Sequence, residues 1–220
     1  MYDRQTHSLW SHITGEAISG KPQGKVLKPL PSTQTTWKEW KKANPTTLLL
    51  SKDDGSGRRY ERDPYEDYYQ NPSKIGLSPR KRSDSRIPPK DKVLGVKIGE
   101  EAKAFPLRYL GDFSILNDQL SGIGIVVIYS KEKQTAVVFD RTLNGEVLSF
   151  EKEEEAGNLY MRDKETGTLW LALTGEAVKG RLKGKSLRQI PSMVSFWFAW
   201  IDYFPDTKAF LGQEYLIGQA

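Results

Sequence analysis

The feature that most constrains this chain is a passage it carries twice. "DRQTHSLWSHITGEAISG" begins at Asp3 and "DKETGTLWLALTGEAVKG" begins at Asp163. Residue n aligns with residue n + 160 without a gap over the first fifty positions. Leu9-Trp10 falls on Leu169-Trp170, Thr14–Ala17 on Thr174–Ala177, Pro31-Ser32 on Pro191-Ser192 and Pro45 on Pro205. Trp37 and Trp40 fall on Trp197 and Trp200, which pairs off all six tryptophans in the chain. The period is far longer than that of solenoid repeats, and the passage reads as an internal duplication.

The shared residues are mostly glycine, proline and tryptophan, the types that fix backbone and core. A shared aspartate at a turn, as in Asp3 and Asp163, more often caps backbone N–H groups than acts as a base. "DKETGTLW" predicts a hairpin, with Gly167 taking positive φ and a strand leading to Trp170. "PSTQTTWKEWKKANPTT" predicts a short helix, capped by Thr36 and Glu39 and stopped at Asn44-Pro45. Trp37 and Trp40 lie three apart on one face, expected to be the buried face rather than a stacking platform. "SFWFAWIDYFPDT" predicts the same helix in the second passage.

Between the passages, residues 93–150 predict β-sheet. "VLGVKIGEEAKAFPLRYL" reads as two strands around a turn at Gly99, followed by "GIGIVVIYS", "QTAVVFDR" and "EVLSF". Asn144-Gly145 marks a tight hairpin. The expected fold is therefore α+β and predominantly β. It comprises one complete β-rich unit (93–215), preceded by the C-terminal half of another (1–52), each ending in a short Trp-bearing helix. A connector (53–92), rich in Tyr and Arg and then basic with prolines, joins them. A β-propeller fragment is the alternative, and the irregular spacing of its turn motifs weighs against it.

Composition narrows the function. Cysteine is absent and only His7 and His12 supply imidazole, a poor basis for zinc or copper. No apolar run approaches the length of a spanning helix, and "MYDRQTHS" has no apolar export core. Much of the +5 net charge sits in Ser73–Lys92, which has no aromatic residue. That segment reads as a solvated linker and argues against a nucleic-acid site. In Asp53–Pro72, Arg59, Arg62 and Tyr65 are candidate anion contacts, while Asp63, Glu66 and Asp67 lack the spacing of a calcium loop. The alternative is a loop whose tyrosines pin one repeat to the other.

The runs "MYDRQTHSLWSHITGEAISGKPQGKVLKPLPSTQTTWKEW", "RDPYEDYY", "PPKDKVLGVKIGEEAKAFPL" and "FWFAW" resemble the domain of unknown function 3179 family over nearly the whole chain. The resemblance implies a two-copy protein of a kind commonly exported in bacteria and archaea. It also implies a first β-half bearing Trp-His-Glu, Asn-Asp and Tyr-Cys-Pro-Leu-Cys-Gly motifs ahead of the Met-Tyr-Asp-Arg run. Such His, Cys and Met ligands would suit copper. The chain resembles the family's C-terminal portion, so only Met1 of that set is expected here. In the second unit Asn117-Asp118 persist, Ser130 and Lys133 stand at the likely Cys positions, and Met161 is kept.

No catalytic, metal or cofactor set is thereby assigned. Asn117, Asp118 and Asp163 join Arg59, Arg62 and Tyr65 as candidate ligand or interface contacts. The first functional expectation is a non-enzymatic β-rich repeat protein with a structural or partner-binding role. The second is a partial form of a copper-binding or redox protein, and the third a hydrolase-like enzyme using Asp118 and Asp163. The half unit should leave an apolar face that packs back on the chain, clasped by the Tyr60–Tyr69 loop, or that self-associates.

Overall fold

The computed structural model describes residues 1–51, 55, 57, 62–76, 83–155 and 158–212. The chain opens with β1 (Tyr2–Asp3), β2 (Ser8–Trp10) and β3 (Ala17–Ser19), then α1 (Trp37–Ala43) and α2 (Glu66–Gln70). A run of strands follows: β4 (Lys92–Ile98), β5 (Glu101–Pro106), β6 (Phe113–Leu120), β7 (Ile123–Ser130) and β8 (Thr135–Asp140). The short pair β9 (Thr142–Leu143) and β10 (Glu146–Val147) precedes β11 (Phe150–Glu155), β12 (Asn158–Asp163), β13 (Leu169–Leu171) and β14 (Ala177–Lys179). The chain continues with β15 (Arg188–Gln189), β16 (Ser192–Phe196), α3 (Trp197–Tyr203) and β17 (Lys208–Ala209). Asn144 and Gly145 both take positive φ, as the two-residue turn between β9 and β10 requires.

Three four-stranded sheets, ordered β15-β8-β7-β6, β16-β4-β5-β17 and β11-β12-β13-β14, form the bulk of the molecule. The first lies in the middle. Strand alternation explains how it serves two neighbours at once. Ile125, Val127 and Tyr129 of β7 join Leu94, Val96 and Phe105 of the β4–β5 sheet in one core cluster. Val126 and Ile128 point the other way, into a cluster with Phe150, Met161 and Trp170. Burial on both faces is why β7 reads as a continuous apolar run rather than an alternating one. On the far side of the β4–β5 sheet, α3 inserts Trp197, Trp200 and Ile201 against Val93, Ala102 and Ala104. A Cβ built on Gly95 would come within 2.3 Å of the Trp200 ring, so this strand must present a bare backbone there.

Hydrogen bonds at n recur at n + 160. The Ala17 N–H donates to the Lys25 carbonyl as Ala177 does to Lys185, and Leu27 to Gly15 as Leu187 to Gly175. Thr207 accepts from the Trp200 indole at 2.9 Å, and Thr47 from the Trp40 indole at 3.1 Å. Both passages carry a bulge at Leu-Trp. Thr36 caps α1 by accepting from the Glu39 N–H, as its spacing predicts.

Three expectations change. Trp37 and Trp40 are not core residues in this chain: they are 41% and 40% exposed, whereas Trp197 and Trp200 are 0% and 2%. The reason is that, among the described residues, α1 has no sheet beneath it comparable to β4–β5. Residues 83–91 are not solvated linker, because Ile87 is fully buried against α3 and Arg86 donates to the Thr207 carbonyl at 3.0 Å. The tyrosines at 68 and 69 do not clasp α1. They sit on α2 and pack against Phe196, with ring centroids 6.1 and 6.2 Å away. Lys90 fixes that arrangement, donating to the Asn71 carbonyl at 2.8 Å from above the Tyr68 ring. Tyr60 lies outside the described residues.

Candidate functional site

Asn117 and Asp118 are adjacent on β6 and therefore face opposite sides of the central sheet. The Asn117 amide donates to the Phe150 carbonyl at 2.8 Å, and its oxygen accepts from the Phe150 N–H at 2.9 Å. It thus acts as one more rung of backbone, splicing β6 to β11 across the layers. Asp118 turns toward the other sheet and pairs with Lys103 of β5 at 2.9 Å, both side chains largely covered. These two residues do not converge on a common point.

Asp163 is buried at the end of β12 and is engaged by four donors. It accepts from the Thr166 N–H at 2.6 Å, the Thr166 hydroxyl at 3.0 Å, the Thr168 N–H at 3.1 Å and the Trp170 indole at 2.8 Å. A carboxylate held this way organises a turn and orients a core tryptophan. Arg62 and Tyr65 are exposed, remote in sequence from the β6 and β12 residues, and join no cluster among the described residues. Arg59 lies outside the described residues.

Ser130 and Lys133 do not form a nucleophile–base pair. The Ser130 hydroxyl accepts from the Lys133 N–H at 3.2 Å, while the Lys133 ammonium reaches Glu39 of α1 at 3.2 Å. Met161 is fully buried beside Trp170. No group of three or more His, Cys, Asp or Glu residues is placed to hold a metal ion among the described residues. The arginine at 188 holds Asp140 at 2.7 Å on the rim of the central sheet. Burial pushes the Asp140 carboxyl up, but the Thr142 N–H and the Arg188 guanidinium outweigh it and leave its pKa below the ordinary value. A concavity of about 90 Å³ opens between Gln34, Tyr129 and Val194, too small for a drug-sized ligand. Burial pushes the Tyr129 phenol up from its ordinary pKa.

The most distinctive surface lies on residues 1–50. Met1, Leu9, Leu27, Leu30, Trp37, Trp40 and Leu50 are exposed. Their counterparts at n + 160 are Met161, Leu169, Leu187, Ile190, Trp197, Trp200 and Phe210, and every one is buried. A short seam ties this segment to the rest of the molecule. Gln34 bridges Ala136, the Thr35 and Thr135 hydroxyls meet at 2.7 Å, and Gln189 donates to the Ser32 carbonyl and the Thr33 hydroxyl. Glu39–Lys133 closes the seam. Sequence reasoning missed these pairs. They join residues about a hundred or more positions apart, most of them polar, and nothing local marks them.

The geometry defines a layered β-rich scaffold with exposed apolar side chains along residues 1–50, and among the described residues the candidates do not converge into a reactive centre. No helix of the described residues is long and apolar enough to cross a membrane. The chain matches the family described as protein of unknown function (DUF3179) over residues 1–207, and it belongs to that family. No curated protein and no solved structure matches it.

Proposed function

We propose that the protein is a non-enzymatic module built on a duplicated β-rich unit, with residues 1–50 as its partner-binding face. In this reading residues 1–52 are the half unit, 53–92 the connector and 93–215 the complete unit. One observation carries it: seven apolar positions exposed in the first passage are all buried in the second. Most of the exposed large apolar side chains on the described residues fall within this one fifty-residue segment, and a concentration of exposed apolar area marks interaction sites. The commitments of Asp118 to Lys103 and of Asp163 to its four donors support a structural role for those carboxylates over a catalytic one.

The test is acrylamide quenching of the purified chain beside its Trp37→Phe and Trp40→Phe variants. The reading expects both indoles to be quenched readily, and both variants to remove the accessible part of the emission. A monomer in which both indoles are shielded would leave no free face, and the proposal would fall.

A further inference from the structure

We infer that the turn between β14 and β15 is a further binding site, distinct from the apolar face of residues 1–50. Its ligand is a linear polymer that carries phosphate charge and offers neither bases nor acyl chains. Charge, rigidity and the absence of apolar contacts specify that ligand.

Charge comes first. Residues 177–201 contain five basic residues and no acidic one. Among the described residues, acids meet this run at its margins. Asp140 holds Arg188 at 2.7 Å, and Glu176 bridges Ser186 on the flanking strand. The Glu153 carboxyl is held below its ordinary value chiefly by Arg162, and the charge of Lys179 adds to that effect. Arg181, Lys183 and Lys185 remain, all exposed and in no ion pair among the described residues. Three like charges within five residues repel one another, and a polyanion relieves that repulsion.

The turn is also fixed in shape. The Lys183 N–H donates to the Gly180 carbonyl at 3.2 Å, Lys185 to Leu182 at 3.0 Å and Gly184 to Ala177 at 2.8 Å. Thr168 accepts from the Leu182 N–H at 3.2 Å, fastening the turn to the core sheet. Gly180 has a φ of +111°, and a Cβ there would meet the Thr168 Cα at 2.8 Å. The three cations therefore stand on a preorganised backbone and lose little backbone freedom on binding. These N–H groups are spent within the turn, so the side chains do the recognising.

The surroundings narrow the ligand. No aromatic residue lies between Trp170 and Phe196, so bases find no stacking platform in this run. Leu182 packs partly buried against the core, which leaves no apolar side chain at the turn to enter a bilayer. Binding by charge alone favours the polymer with the densest charge, because its condensed counterions supply the driving force. The Arg181 guanidinium also matches phosphate oxygens as a two-pronged donor.

The experiment titrates the full chain with inorganic polyphosphate by calorimetry, between about 50 and about 200 mM salt. The Arg181→Gln, Lys183→Gln, Lys185→Gln triple variant is compared with Lys92→Gln, Lys97→Gln, Lys131→Gln, which removes the same charge from other exposed positions. The first is expected to bind about tenfold more weakly or worse, with a salt slope shallower by about 2, and the second to stay within about twofold of the parent. Lys183→Gln alone gives the 180–185 turn the glutamine that stands at Gln23 in the matching turn, and it should show an intermediate loss even if the triple variant fails to fold. Equal weakening in both triple variants, or no saturable binding at the lower salt, overturns the inference. Polyglutamate, single-stranded DNA or anionic vesicles bound as tightly as polyphosphate would overturn the assignment of the ligand.

Discussion

At the scale of the residue, Asp3 and Asp163 show how one local motif carries different weight in two surroundings. Each accepts a hydrogen bond from the threonine hydroxyl three positions on. Asp3 does so in solvent, and the Thr6 hydroxyl, followed by the Gln5 N–H, holds its carboxyl below the ordinary value. Asp163 does so at 1% exposure, where the Thr168 N–H and the Trp170 indole have no water to fall back on. Removing an acceptor from buried donors costs more than the bond itself was worth, because the donors stay desolvated. Asp163→Ala is therefore expected to lower unfolding stability by about 2–4 kcal/mol. Asp3→Ala should give a far smaller loss, with paired chemical denaturation curves as the measurement. A turnover abolished by Asp163→Asn without any shift in midpoint would contradict the structural assignment.

At the scale of the element, the two Trp-bearing helices separate what is local from what is not. Trp200 lies flat against the bare backbone at Gly95 and is tied to Thr207, whereas Trp40 makes the matching bond to Thr47 on an open surface. Trp200→Ala should cost about 3–5 kcal/mol, the range for deleting a buried large aromatic side chain. Trp40→Ala should stay within about 1 kcal/mol, read from the same thermal or urea midpoints. Elements set by neighbouring residues were legible in the sequence: the Thr36 cap, the Asn144-Gly145 turn, the Gly99 turn between β4 and β5. Burial was not, since spacing places Trp37 and Trp40 on one face without saying what lies under it. The same limit hid Ile87, a lone apolar residue in a basic proline-bearing run whose partner helix lies over a hundred residues downstream. It also left α2 unread, because five residues are too few to show a helical period. Among the candidate contacts, the sequence marked Asn117 as polar on a strand, but only the sheet stacking shows it bonding the backbone of Phe150.

At the scale of the whole molecule, the central sheet is cored on both faces while residues 1–50 hang on a polar seam. The two parts should therefore open independently. Amides of β6, β7 and β8 are enclosed between two apolar clusters and should exchange only with global unfolding. Among the described residues, the amides of β1, β2, β3 and α1 are covered by little beyond their own segment, and α1 buries none of its residues. The Lys133–Glu39 pair is the lever that separates the two behaviours. Both side chains are largely covered, so the pair is less screened than the exposed ion pairs elsewhere on the surface. It also bridges the 1–50 segment to the β7–β8 turn without touching either core. Lys133→Ala should accelerate hydrogen exchange across residues 32–43 and leave β6–β8 protection and the global denaturation midpoint close to those of the parent chain. Equal loss of protection in β7 would show that the seam and the central sheet unfold as one unit, and that residues 1–50 are part of the core rather than a segment docked on it.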